Sequence, residues 1–310
     1  MNEAPDFIIV GAAKAGTTSV FEYLGEHPDV FISTPKETDF FAYQVYGDSE
    51  RYMHGVNQRA EEAIIRTPQA YRALFAPASP GQLCGEASPS YMLDARIPAL
   101  IHAWNPQVKI VMLLRDPAER AWSDFLHNQL YGSEVLPPEK FREAFMDSGR
   151  RLAEGWRMNA NYEIKGRYGE QLERFLSVFP REQVGVFFYD DLKADATAFM
   201  RRLYAFIGVD AGFVPRTQQR YNVNGVPGKG PLRRAMYRFL YQPHAIKRVL
   251  RHFVPASLRR RLRFGLQWRV LEKPPVLPAD VRAWLAAHYR ADIEKLESLT
   301  GRDLSHWKGR

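Results

Sequence analysis

Phe7-Ile8-Ile9-Val10-Gly11-Ala12-Ala13-Lys14-Ala15-Gly16-Thr17-Thr18-Ser19 reads as three pieces in order: a short apolar strand, a turn of small residues, and the start of a helix. Four apolar residues in a row, with no alternation, describe a strand covered on both faces, as at the centre of a parallel sheet. Gly11 and Gly16 are separated by four residues, the spacing of a Walker phosphate loop. In loops that bind triphosphates the second glycine is followed by Lys and then Ser or Thr. Here Thr17 follows Gly16, and the lysine sits inside the loop as Lys14. Small residues let backbone approach an anion, and the first N–H groups of a helix point at it. The turn therefore reads as a phosphate cradle for something other than a triphosphate.

Outward from this stretch the same grammar recurs twice. Lys109-Ile-Val-Met-Leu-Leu114 is followed by Arg115-Asp116-Pro117 and a helix expected over 118–130. Val184-Gly-Val-Phe-Phe188 lies between a helix expected over 161–179 and another over 195–207. Strands alternating with helices predict an α/β fold: a P-loop-like three-layer sandwich with a central parallel sheet flanked by helices. Residues 44–82 are expected to hold a helix and loops beside the sheet, 133–160 a loop and a helix, and 278–299 a final helix. With no linker, repeat or low-complexity tract, residues 1–310 read as a single domain, the basic segment 231–275 packed on or beside it.

The 310 residues are 45% hydrophobic and 25% charged, as in ordinary globular proteins. Cys84 is the one cysteine. It cannot form an internal disulfide, no spaced cluster accompanies it for zinc, and it fits a reducing compartment. The opening residues lack the basic and long apolar regions of a signal peptide, and no run approaches a membrane span. A cytoplasmic location is the expectation. The net charge of +8 is uneven: residues 231–270 hold eleven Lys or Arg and no acid, which leaves the rest at about −3. Such basic amphipathic pieces bind anionic surfaces. No nucleic-acid module accompanies them, so nucleic acid is not an expected partner.

The opening strand and turn, Pro5 to Thr18, resemble the 5′-phosphosulfate loop of sulfotransferases that use 3′-phosphoadenylyl sulfate (PAPS), nearest to the heparan-sulfate and other carbohydrate enzymes and their bacterial relatives. Lys109 to Ser123 resembles the family's strand–loop–helix for the 3′-phosphate, which implies Arg115 and Ser123 as its ligands. A guanidinium at a strand end and a helix hydroxyl suit a phosphate dianion. Lys36-Glu37-Thr38-Asp39-Phe40-Phe41 resembles the Lys-Glu-x-x-Phe-Phe segment, whose glutamate serves as the base. Gly85-Glu86-Ala87-Ser88-Pro89-Ser90-Tyr91 matches a stretch that often carries a lysine where this chain has Ala87. Tyr221 to Gly230 resembles the late loop over the nucleotide, with Lys229 and Gly230 near the 3′-phosphate. The resemblance spans most of residues 5–230 and the final helix.

It implies in-line sulfuryl transfer from PAPS, with PAP (the product 3′,5′-bisphosphate) leaving and no metal. Lys14 and the N–H groups of Ala15, Gly16, Thr17, Thr18 and Ser19 would stabilise the leaving phosphate, with Glu37 as general base. His27, His102 and His127 stand as alternative bases, although an isolated histidine more commonly packs or faces solvent. A P-loop phosphotransferase (kinase) is the rival, but it calls for Lys after Gly16 and a metal-binding carboxylate at a strand end. A non-catalytic protein for anionic surfaces is the other. The acceptor stays open: a glycan, a lipid-linked group or another metabolite, bound through a hydroxyl or an amine. The 231–270 segment could dock an anionic acceptor or touch an anionic inner membrane face.

Overall fold

The structure, a computed structural model, describes residues 4–48, 63–131, 134, 136–153, 161–216, 226–227 and 271–309. Its centre is a five-stranded sheet of β1 (Phe7–Gly11), β2 (Val30–Ile32), β3 (Leu83–Ala87), β4 (Lys109–Leu114) and β5 (Val184–Phe188), in the order β2-β3-β1-β4-β5. Every neighbouring pair is parallel. Parallel neighbours need crossover connections, and helices supply them, which produces the flanked sheet expected from the sequence. The three strands read from apolar runs lie side by side as β1, β4 and β5. All five residues of β1 are buried.

β2 and β3 lack a sequence signal, for a physical reason. β2 is three residues long. β3 reads Leu-Cys-Gly-Glu-Ala, with a glycine and an acid in place of branched side chains. Gly85 pairs with Phe7 across the sheet, and a Cβ at position 85 would lie 2.0 Å from the Phe7 ring. A close approach to an aromatic ring, not propensity, selects that glycine.

The helix expected over 161–179 is shorter. A 3₁₀ turn at Ile164–Gly166 precedes it, and the helix itself runs Tyr168–Leu176. Arg167 between them has non-helical backbone, φ −83° and ψ 67°. Gly166 lies against Tyr289, where a Cβ would stand 2.5 Å from the ring, so tertiary packing breaks the helix. The other helices end close to expectation: α1 at Thr17–Leu24, then Pro117–Tyr131, Ala196–Ile207 and Ala279–Thr300. A further short helix, Tyr189–Ala194, follows β5 directly.

One continuous core of buried residues joins Phe7 and Ile9 of β1 to Leu113, Leu203, Leu285 and Trp307. Around β1 the chain leaves on one side toward β3 and on the other toward β4. In open parallel sheets the crevice beyond the strand ends at such a reversal is where ligands bind. No helix among the described residues is long and apolar enough to cross a membrane.

Candidate active site

The turn after β1 has the shape that its small residues permit. Ala12 N–H donates to the Leu113 carbonyl at 2.7 Å, which ties the turn to β4. Lys14 and Gly16 have left-handed backbone, φ 69° and 94°. Gly16 precedes Thr17, the first residue of α1, whose initial amides have no acceptors within the helix. Ala15 is fully buried and Thr17 nearly so; Thr18 and Ser19 are half-buried in the first turn. A Cβ at Gly16 would come within 3.1 Å of the Tyr189 ring, so the turn presses closely on the start of the helix after β5.

Arg115 leaves the end of β4 and reaches this turn. Its guanidinium donates to the Lys14 carbonyl at 3.2 Å and to Glu119 at 3.1 Å, and it lies 5.1 Å from the centre of the Tyr189 ring. Asp116 is structural: it accepts from the amide of Ala118 at 2.8 Å and from Arg282 at 3.0 Å, capping the Pro117–Tyr131 helix. Residues 116, 120, 123, 124 and 127 fall on one face of that helix at steps of three and four. Ser123 is buried on this face, one turn before His127.

His127 is not a packing histidine. Its Nδ1 lies 3.0 Å from Lys14 Nζ. Burial, then the Lys14 ammonium, push the imidazole down to about 3, so it is neutral and Nδ1 accepts from the lysine. Burial also lowers Lys14 to about 8, against the opposing pull of Asp124 and Glu37. Asp124 Oδ2 receives Lys165 at 2.8 Å and Arg120 at 3.2 Å, and all three residues are buried. Burial would raise the Asp124 carboxyl, but Lys165 and Arg120 outweigh it and hold it ionised. Of the other two histidines weighed as bases, His27 accepts the Asp29 amide at Nδ1, donates from Nε2 to the Asp210 carbonyl at 3.0 Å and packs on Tyr204, and His102 packs on Phe179. Both serve structure.

Glu37 reaches the same neighbourhood from the other side. Its amide donates to the Ala87 carbonyl at the end of β3, at 2.9 Å. Glu37 and Asp39 have φ of 61° and 49°, a left-handed turn without glycine. Such residues cost about 1–2 kcal/mol each and persist only where their surroundings over-determine them. The Glu37 carboxylate takes Lys36 at 2.5 Å and remains 53% exposed. Burial works to raise its pKa, yet the Lys36 ion pair, with Lys14 behind it, holds it below the ordinary carboxylate value. It is a charged acceptor, open to solvent, in the electrostatic field of Lys36 and Lys14.

The ends of β1, β3, β4 and β5 thus bring together Lys14, Glu37, Arg115 and Tyr189, three of them from the expected set. Lys229 and Gly230, and the whole 231–270 segment, lie outside the described residues. In the sequence the charged face of the Pro117–Tyr131 helix shows only as a spacing of three and four residues. Lys165 gave no local signal, since it meets Asp124 only through the tertiary fold. Ala87 is fully buried in β3, so a long cationic side chain there would have to leave the strand's packing.

Residues 4–222 match the family described as the sulfotransferase domain. Among curated relatives, the bifunctional heparan sulfate N-deacetylase/N-sulfotransferase 2 of Homo sapiens is 26% identical over 66% of this chain and 22% of its own length. The corresponding Drosophila melanogaster enzyme is 24% identical over 71% of the chain and 21% of its own. The chain therefore spans about a fifth of the length of these relatives. A sulfotransferase from Alicyclobacillus acidocaldarius superposes with a TM-score of 0.73, at 28% identity, covering 98% of both chains. The sulfotransferase domain of the curacin biosynthetic pathway, at TM-score 0.50 and 16% identity, shares the fold. The phosphotransferase alternative ends with these matches. A phosphate turn with its lysine drawn inside, on a chain that one family matches over most of its length, has one assignment: this protein belongs to the PAPS-dependent sulfotransferases and is an enzyme of that class.

Proposed function

We propose that the chain transfers the sulfuryl group of PAPS to an amine or hydroxyl of a carbohydrate acceptor, with Glu37 as general base. The convergence of Lys14, Arg115 and Glu37 on one end of the sheet supports this reading. The phosphate turn suits the donor: Gly16 supplies a left-handed residue, α1 begins directly after it, and Lys14 supplies the charge. PAPS brings a sulfur already bonded to a good leaving phosphate. The acceptor's nitrogen or oxygen forms a bond to sulfur as the bond from sulfur to the 5′-phosphate oxygen breaks, and PAP departs with the electron pair. The acceptor's proton goes to Glu37. Lys14, with its amides, balances charge gained by the leaving phosphate, the kind of fixed donor that serves best away from water. Arg115 and Ser123, with Lys229 and Gly230 from the late loop, take the 3′-phosphate.

The carbohydrate class rests on the named activity of the relatives, and the amine on the N-sulfotransferase part of that name. The excess charge of residues 231–270 suits an anionic chain, and that docking weakens as salt rises. Calorimetry with PAP against ATP plus magnesium tests the donor: PAP binding in preference is expected, and a preference for ATP overturns the reading. De-N-sulfated heparan sulfate tests the acceptor. Glu37→Gln should cut turnover by about 10²–10⁴ with PAP affinity intact; full activity in that variant removes Glu37 as the base.

A further inference from the structure

Glu86 is completely buried on β3, and it is not part of the crevice. Its Oε1 accepts three hydroxyl protons: from Thr38 at 2.6 Å, Ser88 at 2.7 Å and Tyr91 at 2.8 Å. Its Oε2 accepts the Tyr71 hydroxyl. No ion pair reaches it among the described residues. Four hydroxyls thus converge on the two oxygens of one side chain. Aromatic rings enclose the cluster: Phe40 stacks on Tyr71 at 4.2 Å, and Phe41 meets Tyr91 edge-on at 5.4 Å. In such a low-dielectric shell a fully satisfied network is stiff, and a missing member is costly.

Three of the four donors have a second attachment, and it is to the same turn. Thr38 is the residue after Glu37. Ser88 Oγ accepts the amide of Asp39 at 3.1 Å, and Tyr91 OH accepts the amide of Phe41 at 3.3 Å. Ser90 adds a hydrogen bond to the Asp39 carboxylate at 2.5 Å. Positions 38, 39 and 41 are thereby tied, directly or through one hydroxyl, to a single buried carboxylate. Of the two left-handed residues, Glu37 lies just before these positions and Asp39 is one of them.

We propose that Glu86 is a positioning residue for sulfuryl transfer: its hydroxyl clamp holds the strained turn and so aims Glu37 at the acceptor. The role rests on Glu37 acting as the base. Glu86 touches neither donor nor acceptor; it acts through Thr38. Tyr71, on the other oxygen, holds the carboxylate, and among the described residues its hydroxyl makes no hydrogen bond to the turn.

The test compares Thr38→Val, Glu86→Gln and Tyr71→Phe in the full chain. Two readouts apply: PAP release from PAPS, with water or de-N-sulfated heparan sulfate as acceptor, whichever is faster, and amide hydrogen exchange at Glu37 and Asp39. A displacement of about 1 Å costs on the order of 10²-fold in rate. Thr38→Val and Glu86→Gln are therefore expected to lower kcat by about 10- to 100-fold, with PAP affinity within about twofold, and to speed exchange in the turn by about tenfold or more. Tyr71→Phe should leave kcat within about threefold. In a Glu37→Gln background, Thr38→Val should subtract nothing further, because its effect passes through the missing carboxylate. The proposal falls if folded Thr38→Val turns over like the parent, if Tyr71→Phe loses as much kcat as Thr38→Val, or if Thr38→Val costs the same with and without Glu37. Thr38→Val carries the test even where Glu86→Gln does not fold. Full activity of Glu37→Gln alone would instead remove the base assignment, and the exchange data would still show whether Glu86 holds the turn.

Discussion

The Lys14 turn and the Glu37 turn border the same crevice, yet they are held by opposite means. The first is a continuation of one strand into one helix, and its charged groups are held by polar and ionic partners: Lys14 meets the neutral His127, Arg115 reaches back to the Lys14 carbonyl, and Asp124 gathers Lys165 and Arg120 behind them. The second is a strained loop pinned by neutral hydroxyls on a buried carboxylate. One side gathers charge and should respond to pH and salt. The other is built to keep a geometry and should respond to packing. A charged pocket can tolerate small movements, because Coulomb forces fall slowly with distance. A general base cannot, because proton transfer needs hydrogen-bond reach.

The sharpest way to break this contrast is Lys14→Ala. It should lower turnover by about 10³-fold, the upper range for loss of one charge-stabilising donor, and weaken PAP as well. Unchanged PAP affinity by calorimetry would mean that the turn does not seat the phosphate. The same lysine gives a pH signature. Its pKa of about 8 in the free protein should rise beside a bound anion, so PAP binding takes up a proton above pH 8. Affinity should then decline by up to about tenfold per pH unit as pH rises through that value, with no such decline below it. Calorimetry in buffers of different ionisation enthalpy reads the proton directly.

Next in size is Asp124→Asn, which leaves Lys165 and Arg120 buried without their carboxylate. Breaking a buried pair in this way costs about 3–5 kcal/mol, to be read from denaturant midpoints. A loss below about 1 kcal/mol would show that the cluster is solvated. Gly16→Ala should be milder, about 1–2 kcal/mol for a left-handed alanine, with added crowding against Tyr189 that narrows the mouth. The smallest effect belongs to Lys36→Met. Glu37 is 53% exposed, and exposed pairs contribute about 1 kcal/mol or less, so stability should barely change. The acid limb of the turnover profile, where the depressed Glu37 carboxyl takes up its proton, should nonetheless move upward. A shift downward would contradict the ion pair.

The two regions also differ in how far the linear sequence discloses them. The Lys14 turn was legible because its determinants are neighbours in the chain: apolar strand, spaced glycines, helix start. The strand before Arg115 was legible for the same reason, but the 3′-phosphate role of Arg115 and Ser123 came from resemblance. Glu37 was reached only through resemblance, and nothing near it announces Glu86, forty-nine residues on. His127 looked like one isolated histidine among eight. Its role depends on which helix face turns toward β1, and that follows from packing. β3 was overlooked since Gly85 and Glu86 replace the branched residues by which a strand is recognised.

The sequence alone determined the alternation of strand and helix, the small-residue turn after β1 and the place of Lys14 inside it, because local sterics and hydrophobic period act over a few residues. The strand order, the neutral His127 beside Lys14, and the carboxylate clamp under Glu37 were decided only by the tertiary structure. These depend on burial and on contacts between distant segments, and no local pattern encodes either.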